Sequence, residues 1–521
     1  MNITDQQNTE DYVGSKKDFS GWFNEAIWGH RLERQPASAL LLEFLSMAEA
    51  MHRNGKLLES TTPAVDSRYA ANRSIWMRSL LFNNPTMEQI RADCQGSDDE
   101  AWEVWLADIR QRAAVGDTFT ADFSYLRERF YSFSDLVSRV TLLTRIALDP
   151  GSGRKWTWQL LFPIGPAALY EPCNTDLARD RLLFTRTGEL AYLMLTRSSQ
   201  SLRQSLTKKL ALLFDEKTSR NKLLTSLLPE SYPDKGSEKG GTYLPYKTHP
   251  AFNRLAEDID SLLSLGLPDQ DVLEHLKPII AFNLYIYAIE TANHWLGREH
   301  SPVCACEILG PKMDVTRRAA IATKEENEGL GLQAVRRLVE QAITSDSGLN
   351  DRLNSSEYTD EVKAEMLADH LVERCSVYGE TIKAAHPDQV RSAVISIAEH
   401  GYRDGALSAI QGLGAAAGFT DRRGTNKIRY APTDKLLRAL VLANVAHQIE
   451  EDELLLCLNH RYHLVIGPRE AASDLPAYFH DEGDFKKNKE RFTRRLTGLG
   501  LAQRMSDACT YVRNPYFREK G

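Results

Sequence analysis

At 521 residues, with 42% hydrophobic and 26% charged residues, the chain has a globular composition and the length for two to four domains. A formal charge of −7 excludes a generic polyanion binder, so any nucleic-acid surface has to be local. Seven scattered cysteines, an odd number, argue against a disulfide framework and for a reducing cytoplasm, and the polar, acidic stretch from Met1 to Asp11 has no signal-peptide pattern.

Helical periodicity dominates in chain order. Residues 21–29 carry Trp22, Phe23, Ile27 and Trp28 on one face. A second helix follows Pro36, with Leu40, Leu41, Phe44, Leu45 and Met47, and stops near Asn54-Gly55. Further helices are expected at 74–82, 99–112, 123–129 and 132–147, a short strand or an extended pass over the surface at 156–162, then helices at 188–197 and 202–214. The stretch Pro229-Glu-Ser-Tyr-Pro-Asp-Lys-Gly-Ser-Glu-Lys-Gly-Gly-Thr242 has little to bury and predicts a flexible linker. A second helical block runs from Pro250 to about Ala415. Its first helix places Phe252, Leu255, Ile259 and Leu262 at helical spacing. Next comes the most apolar segment, 279–295, which carries Asn283, Glu290 and Asn293. That segment is too polar and too short for a membrane span and predicts a buried core helix. Helices at 331–342, 360–385 and 387–410 complete the block, and a basic connector occupies 421–430.

The carboxy-terminal hundred residues give the most specific pattern. A helix starts at Pro432-Thr433-Asp434, capped by Thr433 or Asp434, with Leu436, Leu437, Leu440, Val441 and Val445 inward. A short helix at 451–458 and an extended piece at 460–466 follow. A basic helix beginning near Asp484 sets Phe492, Leu496 and Leu499 on one face and Lys487, Arg491, Arg494 and Arg495 on the other. Two strand-like pieces around a turn end the pattern, in 504–513. Three helices and then a ribbon is the order of a winged helix, with the third helix in the recognition position. From Asp484 onward ten Lys or Arg face four Asp or Glu, a reversal of the chain's overall sign. Lys486, Lys487, Lys489, Arg491, Arg494, Arg495, Arg504 and Arg513 are therefore the candidate DNA-binding residues. Phosphate contact and shape reading are favoured over base readout, because Asn488 is the helix's only amide side chain. A winged helix that docks protein is the competing reading of the same residues.

Catalytic motifs fail on spacing. His300-x-x-x-Cys304-x-Cys306, with His294 upstream, lacks the C-x-x-C spacing and the fourth ligand of a zinc site. Gly329-Leu-Gly331, Gly412-Leu-Gly414-Ala-Ala-Ala-Gly418 and Gly151-Ser-Gly153-Arg-Lys155 lack the strand and the Lys-Ser/Thr pair of a phosphate loop. Glu307 and Lys312 do not complete a nuclease set. Glu189 sits at a helix start, His30 and His400 stand alone, and Trp22, Phe23 and Trp28 at helical spacing are core residues before they are a base-stacking platform. No catalytic residue, metal ligand or cofactor is assigned.

Three segments carry a resemblance. They are Trp28-Gly-His-Arg-Leu-Glu-Arg-Gln-Pro-Ala-Ser-Ala-Leu-Leu-Leu-Glu-Phe-Leu45, Leu183-Phe-Thr-Arg-Thr-Gly-Glu-Leu-Ala-Tyr-Leu-Met-Leu195 and Gly498-Leu-Gly-Leu-Ala-Gln-Arg-Met-Ser-Asp-Ala-Cys-Thr-Tyr-Val-Arg-Asn-Pro-Tyr516. Together they resemble the large helical, non-enzymatic accessory subunits of multi-gene bacterial anti-phage systems, of the Druantia type or the phosphorothioation-dependent restriction type. The resemblance covers the amino-terminal block and the end of the chain and carries no active-site residue across. It implies a cytoplasmic role in antiviral defence beside a helicase or ATPase.

The expected fold is mainly α: a multi-domain helical protein with a small α+β winged-helix module at its carboxy terminus. The expected divisions are a helical domain at 1–228, a flexible linker at 229–247, a middle helical domain at 248–420 and the winged helix at 421–521. The expected function is a non-catalytic scaffold that contacts DNA without sequence preference. Its expected partners are other defence-operon proteins, including a helicase or ATPase, and no membrane. A divergent metal-dependent nuclease subunit and a winged-helix transcriptional regulator are the alternatives.

Overall fold

The computed structural model describes residues 19–146, 187–227 and 239–517, apart from 30–31, 62–66, 70–79, 81–85, 95–96, 113–121, 216, 218–221, 223–225, 243, 309–313, 423–426 and 506–508. The expected elements at 74–82 (save Leu80) and 156–162, and the candidates His30, Gly151 to Lys155 and Lys312, lie outside the described residues.

The described chain is mainly helical, and one helix organises it. Asp269–Trp295 is 27 residues long, and residues 278–289 are all buried. A helix apolar on every side needs neighbours all round. It finds them in Ala37–Arg53 from the amino-terminal block, in Pro250–Leu263, Val315–Thr344 and Ser408–Ala416 from the middle, and in Asp434–Asn444 near the carboxy terminus. Its 271–295 portion is long and apolar enough to cross a membrane by composition, but 83% of its most apolar window is buried inside the protein. One continuous apolar cluster therefore runs from Phe19 to Val512, through all three expected domains.

The amino-terminal helices form close to the expected positions. Phe19–Trp28 buries Phe23 and Trp28, and Trp22 packs on Phe19, so these aromatics are core. Ala37–Arg53 ends at Asn54, with Gly55 in the left-handed region at φ +69°. Asp98–Arg112, Tyr125–Arg129, Phe133–Ile146, Thr187–Thr196 and Gln200–Leu213 follow. Thr187–Thr196 is buried along its whole length and lies against Ala37–Arg53. Gly188 makes that approach close, since a Cβ there would meet the Leu40 carbonyl oxygen at 2.1 Å.

The middle block departs from expectation where glycines suggested helix ends. Residues 331–342 belong to the 30-residue helix Val315–Thr344, capped by Asp314. Gly331 does not interrupt it; the missing side chain leaves room for Tyr402, whose hydroxyl would lie 2.3 Å from a Cβ there. The helix expected at 360–385 is Asp360–Cys375, ended by Ser376 at φ 58°. The one expected at 387–410 is Pro387–Gly401, a π turn Tyr402–Leu407 and Ser408–Ala416. The Tyr402 hydroxyl donates to the Glu328 carbonyl at 2.8 Å, from within this wider turn.

Residues 229–238 and 243 of the expected linker lie outside the described residues, and the rest of it is held in place. Lys239–Thr242 pairs antiparallel with Ser67–Tyr69, and Leu244 and Tyr246 are fully buried. The Tyr246 hydroxyl donates to the Ile27 carbonyl at 2.6 Å and accepts from the Trp295 indole at 2.7 Å. Two large apolar side chains close the expected linker, and they anchor it in the core.

At the carboxy end the order is Asp434–Asn444, strand Gln448–Glu450, Glu451–Tyr462, strand Leu464–Val465, Pro468–Asp474, Glu482–Gly498 and the strands Ala502–Arg504 and Thr510–Arg513. Of the two caps the sequence offers, Thr433 is the one used, accepting from the Leu436 amide. The segment expected to be extended from His460 stays helical to Tyr462 and turns at His463, φ 62°. Gln448–Glu450 joins the ribbon to make a three-stranded antiparallel sheet with Thr510–Arg513 in the centre. Leu464–Val465 pairs in parallel with Cys304–Ala305, tying this end of the chain to the middle block.

Candidate nucleic-acid interface

The basic helix Glu482–Gly498 is oriented by the side it buries. Phe485, Asn488, Phe492 and Leu496 are inward. Asn488, fully buried, accepts from the Ile308 amide at 2.8 Å and donates to the Cys306 and Ile466 carbonyls at 2.9 Å each. Its side chain is spent on three backbone groups inside the protein, so it is a fastening and not a base reader. Asp481 caps the helix by accepting from the Asp484 amide at 2.8 Å. The Val315 amide donates to Asp484, and that bond holds the Asp484 carboxyl below the usual carboxylate range.

The eight candidate cations divide into two groups. Lys489 pairs with Asp452, Arg491 with Asp314 at 3.1 Å, and Arg495 with Asp434; all three are half-buried. These side chains hold the helix to its neighbours. Lys486, Lys487 and Arg494 are exposed, with Lys487 3.6 Å from Asp484. Arg504 and Arg513 are exposed on the ribbon. Strand alternation and the pairings Ala502 to Val512 and Arg504 to Thr510 put these two arginines on opposite faces of the ribbon. Glu490 is exposed between Lys487 and Arg494, so the outward face of the helix is less positive than its composition suggests. Exposed Gln448 and Gln503 on the sheet add polar contact groups that the sequence pattern did not single out.

A charged network seats this unit on the body. Arg461 donates to Asp258 at 2.7 Å, the Tyr462 hydroxyl donates to the same carboxylate at 2.6 Å, and Asn283 donates to its other oxygen at 2.8 Å. Arg254 forks onto Glu290 at 2.7 and 2.9 Å and reaches the Arg461 carbonyl at 2.9 Å, while His463 lies 2.7 Å from Glu290. Burial opposes ionisation of Glu290, but the Arg254 charge overrides it and holds that carboxyl well below its usual range. Burial alone dominates at Asp258 and pushes its carboxyl up. Every carboxylate here is matched by hydrogen-bonded cations, which is what makes such a cluster tolerable in a core.

The rejected motifs resolve into structural roles. Cys304 and Cys306 are fully buried, with both thiols pushed up by desolvation, whereas His300 is exposed. Among the described residues no group of three or more His, Cys, Asp or Glu is placed to hold a metal ion. Glu307 is gripped by Arg317 at 2.7 and 2.9 Å and by Arg429. His400 is exposed and 3.0 Å from Asp404. Glu189 is buried in the first turn of its helix, but the amides at that end go elsewhere: Gly188 donates to Glu43 at 2.8 Å and Thr187 to Gln35 at 3.2 Å. Compared with protein-family models, curated proteins and solved structures, the chain matches none.

Proposed function

We propose that the carboxy-terminal unit is a winged helix and that the chain is a non-catalytic, DNA-contacting adaptor of a bacterial anti-phage system, working in the cytoplasm beside a helicase or ATPase. The observation that carries the DNA contact is the division of the cations. Lys489, Arg491 and Arg495 are used to fix the helix, which leaves Lys486, Lys487 and Arg494 outward beside a ribbon carrying Arg504 and Arg513. With the short strand Leu464–Val465 and the short helix Pro468–Asp474 taken as an insertion before the basic helix, the order helix, strand, helix, helix, ribbon, with the first strand returning to pair with Thr510–Arg513, supports the winged-helix reading. A few exposed cations on a fixed helix suit phosphate contact without base readout. The resemblance of the three quoted segments supports the defence role.

The same unit exposes Met505 and Phe517, and Glu490 breaks the basic face, which favours protein docking as a second reading. A plaque assay on a host strain carrying the gene with its neighbouring genes tests the function. Protection should be lost on deletion and also when Lys486, Lys487, Arg494, Arg504 and Arg513 are together changed to Ala. Full protection without the gene would overturn the defence role, and full protection in the five-site variant would overturn the DNA contact.

A further inference from the structure

Charge is distributed unevenly along the chain. Residues 346–404 hold twelve Asp or Glu against six Lys or Arg, a net −6, while 484–521 hold ten Lys or Arg against four acids, a net +6. In the structure the acidic segment forms the helices Ser347–Asn354, Asp360–Cys375 and Pro387–Gly401; the last two pack on Val315–Thr344, and Ser347–Asn354 packs on Asp360–Cys375. Leu367, Leu371 and Cys375 of the Asp360–Cys375 helix are buried. Its outer face exposes Glu361, Val362, Glu365, Asp369, Val372 and Glu373, and Tyr378 follows. Val362 is 37% exposed, Val372 38% and Tyr378 75%. An acidic face studded with uncovered apolar side chains is poorly suited to water alone.

The complementary surface belongs to the same chain. The basic helix and ribbon expose Lys486, Lys487, Arg494, Arg504 and Arg513, with Met505 64% and Phe517 43% exposed beside them. The two surfaces sit toward opposite ends of one rigid rod. Arg491 meets Asp314, the cap of Val315–Thr344, whereas His370 lies 3.0 Å from the Ala342 carbonyl near that helix's other end. A helix rises about 1.5 Å per residue, so the separation is about 40 Å and the two faces cannot meet within one molecule.

We propose that the acidic face of the Asp360–Cys375 helix docks the basic carboxy-terminal unit of a second copy of this chain. The contact is heterologous, acidic end to basic end, and leaves a free surface of each kind at the ends of every assembly. Opposite charges steer and orient the encounter, and the apolar side chains on both faces supply the surface that is buried. The proposal goes beyond the DNA reading and does not depend on it, although DNA and a second copy would compete for the same cations.

Sedimentation velocity on the full-length protein tests it. The weight-average mass should rise with concentration at about 50 mM salt and return to that of the monomer at about 500 mM, where the Debye length is only a few ångströms. The triple variants E365K/D369K/E373K and K486E/K487E/R494E should each remain monomeric alone, and an equimolar mixture of the two should associate, because each retains the surface the other has lost. Recovery in the mixture also shows that neither variant is merely misfolded. A wild-type protein monomeric at every concentration, a variant that associates by itself as wild type does, or a mixture that stays monomeric would overturn the proposal. DNA binding by a protein that never associates would remove this inference alone; association without DNA binding would remove the functional reading alone.

Discussion

Asn488 shows how much a single residue can decide at this surface. Its position on a basic helix invites a role in reading bases, yet its side chain is spent on the Ile308 amide and the Cys306 and Ile466 carbonyls. Asn488→Ala would strand three buried backbone groups, and chemical denaturation should register a loss of about 2–4 kcal/mol. Lys486→Ala, on the exposed face, should stay within about 0.5 kcal/mol of wild type in the same experiment. His249 sets a pH dependence of its own. Burial lowers its pKa to about 4, and its Nδ1 accepts from the Ala251 amide at 3.1 Å to cap the helix that follows. The folded protein therefore keeps this imidazole neutral while the unfolded chain takes up a proton near pH 6.5. Stability from this group is complete above pH 6.5 and is lost as the pH falls toward 4. His249→Asn preserves a capping acceptor and removes the titration, so the stability gap between wild type and variant should shift by about 3 kcal/mol across that window. A gap that stays constant with pH would place the proton elsewhere.

At the scale of elements, two glycines in similar sequence settings behave oppositely. Gly188 lets the Thr187–Thr196 helix lie against Ala37–Arg53, and a Cβ there meets a backbone oxygen that cannot swing aside. Gly188→Ala should cost at least about 3 kcal/mol or prevent folding. Gly329 lies inside Val315–Thr344 with nothing within 4 Å of its added Cβ, so Gly329→Ala should stabilise by about 0.5–1 kcal/mol. Thermal unfolding of the two variants distinguishes them directly. The sequence pattern could not separate these glycines, because what differs is a neighbour more than a hundred residues away. The same limit explains the site. The helix Glu482–Gly498 and its ribbon were legible from spacing and from the clustering of arginines. The pairing of Arg491 with Asp314, 177 residues away, and of Arg495 with Asp434, 61 residues away, was not. Those two arginines were expected to face DNA, and in the structure each is half-buried in an ion pair within the protein. The strand Gln448–Glu450 was also hidden, since three residues are too few to show an alternation. In the middle block the sequence misplaces boundaries in both directions: the glycines at 329 and 331 do not end the helix Val315–Thr344, which packs on Asp269–Trp295, whereas the helices expected at 360–385 and 387–410 stop at Cys375 and break at a π turn.

At the scale of the whole molecule, the amino-terminal, middle and carboxy-terminal parts share one apolar cluster, and the basic unit is fastened to it by buried charges. Arg461 is the keystone of that fastening, because it neutralises Asp258 and pairs with Glu257. Arg461→Met should destabilise the protein by about 3 kcal/mol, as removing one member of a buried pair leaves the other charge uncompensated. Its unfolding should remain a single transition, with the carboxy-terminal unit melting together with the rest. In the proposed division of labour Lys486, Lys487, Arg494, Arg504 and Arg513 hold the DNA backbone while Lys489, Arg491 and Arg495 hold the helix. The direct test is the dependence of duplex-DNA affinity on salt, measured by fluorescence anisotropy. Five phosphate contacts predict a slope of log affinity against log salt of about −4.5, and changing Lys486, Lys487 and Arg494 to Ala should reduce it to about −2. A wild-type protein that binds no duplex, or a slope that the three substitutions leave unchanged, would contradict it.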